Sequence, residues 1–213
     1  MRWRLVAACA AALAGLTGAA GCATDEAPAN PVVQPGLPGE GNRTLSAEEA
    51  ASNAAATPPN EADYAYARDM VAHHRQALVM TALVPDRGAD PTVKAFATRI
   101  ADTQGPEVDM MNRWLTRNGQ PAVAEHEGHG GHGSHHAMPG MATEEQLAAL
   151  AAASGPAFDR LFLELMIRHH EGAISMADTV RRSGSDVLVQ EMADNVVAEQ
   201  SDEVARMRGM LGA

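Results

Sequence analysis

The chain carries little positive charge and few aromatic residues. Its 213 residues include 16 Lys or Arg against 27 Asp or Glu, a net charge of −11, and Lys94 is the only lysine. Nucleic-acid binding needs a basic face, so this balance argues against nucleic acid as a partner. Aromatic residues make up 3% of the chain, and alanine is abundant, which suits closely packed helices better than a β-sandwich.

Cysteine is also scarce. The two cysteines, Cys9 and Cys22, both lie near the N-terminus. The rest of the chain can therefore form no disulfide framework, and thiolate-based zinc or iron–sulfur sites are excluded there. The sequence also lacks a nucleophile elbow, a phosphate-binding loop and a dinucleotide fingerprint, so no catalytic residue can be named.

The first 21 residues predict an export signal. Arg2 and Arg4 give a basic start, and an apolar run over residues 5–20 follows. This run is too short for a comfortable transmembrane helix, which needs about 20 apolar residues. Residues 19–22 resemble the lipobox of bacterial lipoproteins, which predicts lipidation of Cys22 and anchoring at the outer face of the cell membrane. Ala19 replaces the usual leucine, so a periplasmic or secreted protein is the alternative.

Residues 22–59 are rich in Ala, Pro, Gly, Asn and Glu and lack sustained periodicity. We interpret them as a flexible tether. The remaining residues, 60–212, predict one helical domain. Its long helices are expected over about 60–84, 91–117, 156–182 and 186–210, with short loops at 85–90 and 183–186. Such short loops make each consecutive pair of helices an antiparallel hairpin.

One pattern occurs twice in this domain, at a constant offset of 96 residues that relates Asp63 to Asp159. The first copy contains Asp63, Tyr66, Met70, His73, His74, Ala77 and Met80, and the second contains Asp159, Phe162, Met166, His169, His170, Ala173 and Met176. The offset continues through the following helices, where Gln104 and Glu107 correspond to Gln200 and Glu203. Such a repeat predicts an all-α fold of two duplicated hairpins, residues 60–117 and 156–212, joined by a linker over residues 118–155.

Each repeat brings imidazole and thioether groups to one helical face. Met70 lies four residues before His74, and His73 lies two turns before Met80, so these side chains can converge on one point. Met166, His169, His170 and Met176 repeat this spacing. Thioethers select Cu(I), and imidazole suits copper in either state, so the ligand types favour Cu(I), with Cu(II) or another divalent metal as alternatives. The competing interpretation is ordinary core packing by the methionines and hydrogen-bonded core histidines.

Gln104, Glu107, Gln200 and Glu203 interrupt otherwise apolar helical stripes. A buried carboxylate needs a cation, a histidine or a proton, so these residues are candidate ligands or supports of ligands. A ferritin-type di-iron site would need carboxylates from all four helices. The first and third long helices offer only Asp63 and Asp159, about three turns from the histidines, which favours copper over iron.

The linker contains a second cluster of histidines in a glycine-rich stretch. Its members are His126, His129, His132, His135 and His136. Histidine-rich tracts without a fixed scaffold bind metals adaptably, so this stretch predicts metal capture. Neutral imidazole is the ligand form, and binding should fail below about pH 6. A solvated linker is the alternative.

Residues 143–152, after this stretch, predict a short helix capped by Thr143 with Gln146 at the capping-box position.

The segment from Phe158 to Ala177, which includes Met-Ile-Arg-His-His-Glu-Gly-Ala-Ile-Ser-Met over residues 166–176, resembles the signature of the bacterial domain-of-unknown-function family 305. Residues 138–141, Met-Pro-Gly-Met, and the Gln200…Glu203…Met207 stretch are similar to it too. The resemblance covers about residues 60–212. It implies a ferritin-like antiparallel four-helix bundle and, because some members are periplasmic copper-binding proteins, copper ligation by Met166, His169, His170 and Met176 and their counterparts in the first repeat.

The first repeat departs from the family pattern at two positions. Arg75 stands where the second repeat has Glu171, and Gln76 stands where it has Gly172. We therefore expect a weaker or altered site in the first repeat.

These patterns together predict an exported copper-binding protein that acts in copper tolerance, storage or delivery. A ferritin-like metal-dependent oxidoreductase is one alternative, and a metal-free helical interaction module is another. The sequence leaves open a homodimer and the identity of any protein that exchanges copper with this one.

Overall fold

The computed structural model describes residues 32–34, 41–46, 57–124 and 138–212. The chain divides into two compact units, residues 1–55 and 56–213. In the first unit, β1 (Val32–Gln34) pairs antiparallel with β2 (Arg43–Leu45). This short hairpin lies within the predicted tether, where strands of three residues are too short to show a periodicity. The predicted export signal and Cys22 lie outside the described residues.

The second unit is helical, as the sequence predicted. Its long helices are α1 (Glu61–Ala82), α3 (Pro91–Arg117), α5 (Gly155–Ser183) and α6 (Val187–Gly212), with short helices α2 (Val84–Arg87) and α4 (Glu144–Ala152). Helix α1 packs along α3, α5 packs along α6, and α1 also packs along α5. Across the described ranges, none of the helices combines the length and apolarity needed to cross a membrane.

Helices α1 and α4 begin at capping boxes. The side chain of Asn60 accepts hydrogen bonds from the backbone N–H groups of Ala62 and Asp63, and the Asp63 carboxylate accepts one from the N–H of Asn60. Thr143 and Gln146 make the same reciprocal pair at α4, as predicted. Each box satisfies N–H groups that have no partner within the helix, and this fixes where the helix starts. The end of α1 differs from the prediction, because α1 ends at Ala82 and the separate helix α2, with Pro85 in its first turn, stands where the loop was expected.

Asp63 and Asp159 join the two hairpins reciprocally. The Asp63 carboxylate accepts hydrogen bonds from the N–H groups of Ser185 at 3.0 Å and Asp186 at 3.2 Å, immediately before α6. The Asp159 carboxylate accepts a bond from the N–H of Asp90 at 2.8 Å, immediately before α3. Equivalent residues therefore make equivalent contacts, and each carboxylate also lies where the positive end of a helix dipole stabilises it. The contacts of Asp63 and Asp159 are thus symmetric between the two repeats.

Residues that differ between the repeats hold the linker. Arg75 donates to the carbonyl oxygens of Ala124 at 2.6 Å and Val123 at 2.8 Å. The Gln76 amide donates to the carbonyl oxygen of Ala142 at 2.9 Å and accepts from its N–H at 2.7 Å. In the second repeat, Glu171 instead pairs with Arg208 on α6. The departures of the first repeat thus have a structural reason, although a weaker site in that repeat stays a prediction.

Gly172 receives the segment of residues 138–142, which we call the strap. A Cβ atom on Gly172 would overlap the carbonyl group of Pro139, and one on Gly140 would overlap the backbone of Arg168. Gly140 also has a φ of 79°, a conformation that side chains other than glycine rarely adopt. The strap therefore docks directly on the backbone of α5.

We expect Gly172→Ala to lower the free energy of unfolding by about 1–3 kcal/mol, because the added methyl group forces the strap off α5. The control is Gly209→Ala in α6, where nothing lies within 4 Å of the added Cβ. The control should be neutral or stabilise by up to about 1 kcal/mol through helix propensity. Urea unfolding measures both, and equal stabilisation by both substitutions would contradict strap docking.

Candidate metal centre

A layer of polar side chains crosses the core between two apolar clusters. One cluster contains Met80, Ile100, Met166 and Val204, and the other contains Met70, Val108, Ala173 and Val196. Along every long helix, the polar residues lie between the residues that belong to the two clusters. These residues form what we call the histidine layer: His73, His74, Gln104, Glu107, His169, His170, Gln200 and Glu203.

The histidines and glutamines of the layer are buried, Glu107 is half-buried, and many polar atoms of the layer lack a partner in the protein. All four of its histidines have 0% exposure, and Gln104 and Gln200 have 2% and 3%. Among the described side chains, the buried nitrogen and oxygen atoms without a hydrogen-bond partner in the protein belong to this layer and to one tyrosine. They are Nδ1 of His73, His74, His169 and His170, Nε2 of His169, both amide atoms of Gln104, Oε1 of Gln200 and the hydroxyl of Tyr66. Such a concentration makes the layer the candidate site of this domain.

Two histidines are oriented by glutamates. His74 Nε2 lies 2.8 Å from Glu107 Oε2, and His170 Nε2 lies 2.8 Å from Glu203 Oε2. An ionised carboxylate only accepts hydrogen bonds, so the proton of each neutral ring sits on Nε2 and Nδ1 keeps a lone pair. The sequence left the glutamates open as ligands or supports, and the structure places them as partners of histidine.

His73 has the same tautomer for a different reason. Its Nε2 lies 3.0 Å from the carbonyl oxygen of Pro139 in the strap, which can only accept a hydrogen bond. Nδ1 of His73 therefore also keeps its lone pair. The sequence did not predict this contact. The only sequence signal for this contact is Gly172, the residue of the second repeat that corresponds to Gln76 of the first repeat.

His169 lies against His73 and has no hydrogen-bond partner on either ring nitrogen. The two rings are 3.8 Å apart between centroids and tilted by 35°. Because this contact joins equivalent residues of α1 and α5, it lies where the two repeats meet. The structure thus brings the histidine pairs of both repeats into one layer.

Burial keeps these rings neutral. It lowers the pKa of His73 to about 3, and it holds the pKa of His169 well below the ordinary value, with the neighbouring histidines adding to the effect. Burial also lowers the pKa of His170, although Glu203 opposes that shift. Neutral imidazole is the form that binds metal ions.

The methionines of the repeats occupy two environments. Met70, Met80 and Met166 have 0% exposure and belong to the apolar clusters that flank the layer, whereas Met176 is half-buried. Over the described ranges, no three His, Cys, Asp or Glu side chains stand together in a metal-binding arrangement. A metal ion in the layer therefore needs thioether ligands beside imidazole, or rotation of the rings. The five linker histidines lie outside the described residues.

Comparison with known proteins supports a shared family. The model of the family described as domain of unknown function DUF305 matches residues 63–211. The chain belongs to the DUF305 family. No curated protein matches it.

Solved DUF305 structures share this fold. A DUF305 fragment from Deinococcus radiodurans is 31% identical, with 73% of this chain and 99% of that chain covered and a TM-score of 0.65. A presumed secreted DUF305 protein from Streptomyces coelicolor is 32% identical, with 71% and 91% covered and a TM-score of 0.61. CopM in its Cu(II)-bound form is 28% identical, with 70% and 95% covered and a TM-score of 0.60. CopM has also been solved in Cu(I)-bound and silver-bound forms.

The buried histidines predict a stability loss in acid for the metal-free protein. The folded pKa values of His73, His169 and His170 lie below the unfolded value of about 6.5, so the unfolded state gains protons first as the pH falls. The free energy of unfolding should therefore decrease from about pH 6.5 down towards the folded values, by up to about 1.4 kcal/mol per pH unit for each such histidine.

Urea unfolding at a series of pH values measures this loss. Carboxylates titrate in the same range, so the wild type is compared with His169→Gln, which removes one buried ring. The variant should show a shallower dependence between about pH 6.5 and 4.5. Parallel curves for the two proteins would show that His169 is not a buried neutral histidine.

Proposed function

We propose that this DUF305 protein is an exported copper-binding protein and that the histidine layer holds the ion within a ferritin-like four-helix bundle of α1, α3, α5 and α6. The observation that carries the proposal is the set of four buried histidines whose Nδ1 atoms have no partner in the protein. Each buried polar atom left without a hydrogen bond costs about 1–3 kcal/mol. A bound ion would offset part of that cost.

The ligand types favour a soft ion. Neutral imidazole nitrogens lie in the layer, and the buried methionines Met70, Met80 and Met166 belong to the clusters on its two sides. Thioethers select Cu(I), while imidazole binds copper in both oxidation states. The relative CopM has been solved with Cu(II), Cu(I) and silver. Cu(I) is the favoured ion, and Cu(II) or another divalent metal is the alternative.

Glu107 and Glu203 would act on the ion through the histidines. A histidine ligand commonly donates its second ring N–H to a carboxylate, which fixes the ring and makes the ligating nitrogen more basic. The pairs of Glu107 with His74 and of Glu203 with His170 have this form. Gln104 and Gln200, which lie in the same layer with unpartnered amide atoms, are candidates to complete the site.

A carboxylate-rich oxidation centre fits the described residues less well. Asp63 and Asp159 accept backbone hydrogen bonds at the starts of α6 and α3, and the two glutamates are paired with histidines. No observation favours a metal-free interaction module either, because apolar side chains would fill such a core without unpartnered imidazoles.

The remaining parts of the chain suit a protein that meets copper outside the cytoplasm. The first 21 residues have the pattern of an export signal, Cys22 follows as a candidate lipid anchor, and a relative is a presumed secreted protein. His126, His129, His132, His135 and His136 would capture metal ions for the layer. We infer a role in copper tolerance, storage or delivery at the cell surface.

Competition of the mature chain with a chromophoric Cu(I) chelator tests the site. We expect His73→Gln/His169→Gln to lose the tightly bound ion. Replacing the five linker histidines by serine should leave that ion in place. Glu203→Gln should weaken binding by about 10–100-fold, because it removes the carboxylate that orients His170.

Circular dichroism confirms that each variant is folded before it is compared. If the His73→Gln/His169→Gln protein kept full stoichiometry and affinity, the layer would not be the copper site. If only the linker variant lost copper, the linker would be the binder.

A further inference from the structure

A cleft of about 420 Å³ opens between α1, α5 and the strap. Two methionines line it, Met138 from the strap and Met176 from α5, and both are half-buried. Met176 therefore differs from its repeat counterpart Met80, which is fully buried in the core. The docked strap breaks the symmetry of the repeats, and it adds a second thioether to the lining of the cleft.

The chemistry of this cleft is suited to a soft monovalent cation. Thioethers are neutral ligands that prefer Cu(I) to other biological metals. Asp69 also lines the cleft and adds a carboxyl group, which favours a cation over an anion there. Half-buried ligands leave a bound ion accessible to an exchanging ligand from solution.

Tyr66 links the cleft to the histidine layer. It lines the same cleft and is 5% exposed, and its hydroxyl group is buried without a hydrogen-bond partner in the protein. Burial raises the pKa of this hydroxyl, and the charge of Glu107 in the layer adds to the effect. Tyr66 therefore forms part of the cleft wall while its hydroxyl group lies near the layer.

The cleft is also next to the histidine layer. Pro139 lines the cleft, and its carbonyl oxygen accepts the hydrogen bond from His73 Nε2 at 3.0 Å. Movement of the strap would therefore change the cleft and uncover His73 at the same time.

We propose that Met138 and Met176 form a second, outward-facing site for Cu(I) or Ag(I), at which the ion enters or leaves the protein. The binding of an ion at this site depends only on the residues of the cleft. Its role in loading the histidine layer rests on the function proposed above.

Methionine methyl NMR with Ag(I) as the probe tests the binding claim on the mature chain. In the wild type, the methyl signals of Met138 and Met176 should shift together as Ag(I) is added. Met138→Leu should abolish the shift at Met176, and Met176→Leu should abolish the shift at Met138. The matched control is Met110→Leu, which replaces a half-buried methionine of α3 outside the cleft and should leave both shifts unchanged.

The same experiment separates this site from the layer. His169→Gln/His170→Gln, which leaves the contact of His73 with the strap in place, should retain the paired Met138 and Met176 response even if it loses the ion in the layer. The proposal would be overturned if the methyl signals of Met138 and Met176 did not shift when Ag(I) is added to the wild type. A shift at one methionine that survives replacement of the other would also overturn it.

Stopped-flow Cu(I) transfer from a chelator tests the role of the cleft. Met138→Leu/Met176→Leu should slow loading of the layer without changing its final occupancy, whereas Met110→Leu should load as fast as the wild type. Equal loading rates for all three proteins would show that the ion reaches the layer by another path.

Discussion

Four imidazole rings inside a hydrocarbon core set the constraint that shapes this domain. A buried ring needs an acceptor for its proton, or the cost of burial is not offset. The chain meets this requirement for three of the rings, with Glu107 for His74, Glu203 for His170 and the carbonyl oxygen of Pro139 for His73, and it leaves His169 without a partner. All three partners use Nε2 and leave Nδ1 free. The Nδ1 lone pairs of the rings therefore take no part in the hydrogen bonds that hold the fold together.

The duplication explains why the layer is symmetric and why the contacts of the linker with the two repeats differ. Asp63 and Asp159 make equivalent contacts at the starts of α6 and α3, and the two glutamate–histidine pairs have equal lengths of 2.8 Å. One linker cannot contact both repeats in the same way. The first repeat holds it through Gln76, while the second gives up a side chain at Gly172 so that the strap can dock. This asymmetry gives the domain the cleft with Met138 and Met176.

Local sequence signals predicted the helices, the cap at Thr143 and the inward stripe, because helical periodicity and capping chemistry act over a few residues. The repeat offset predicted that both histidine pairs would be equivalent. Contacts between distant segments were not predictable in this way. Nothing local identifies Pro139 as the partner of His73, and repeat symmetry wrongly suggests that Met176 is as buried as Met80.

The tautomer of the buried histidines is the most direct measure of the central claim. Long-range proton–nitrogen NMR of the mature chain, with ring nitrogens labelled, reports which nitrogen of each ring carries the proton. The account predicts protonated Nε2 and bare Nδ1 for His73, His74 and His170 in the metal-free protein, followed by a shift of Nδ1 signals in the layer when Cu(I) is added. Protons on Nδ1 of those rings, or layer signals that do not change while the linker histidines bind all the copper, would contradict it.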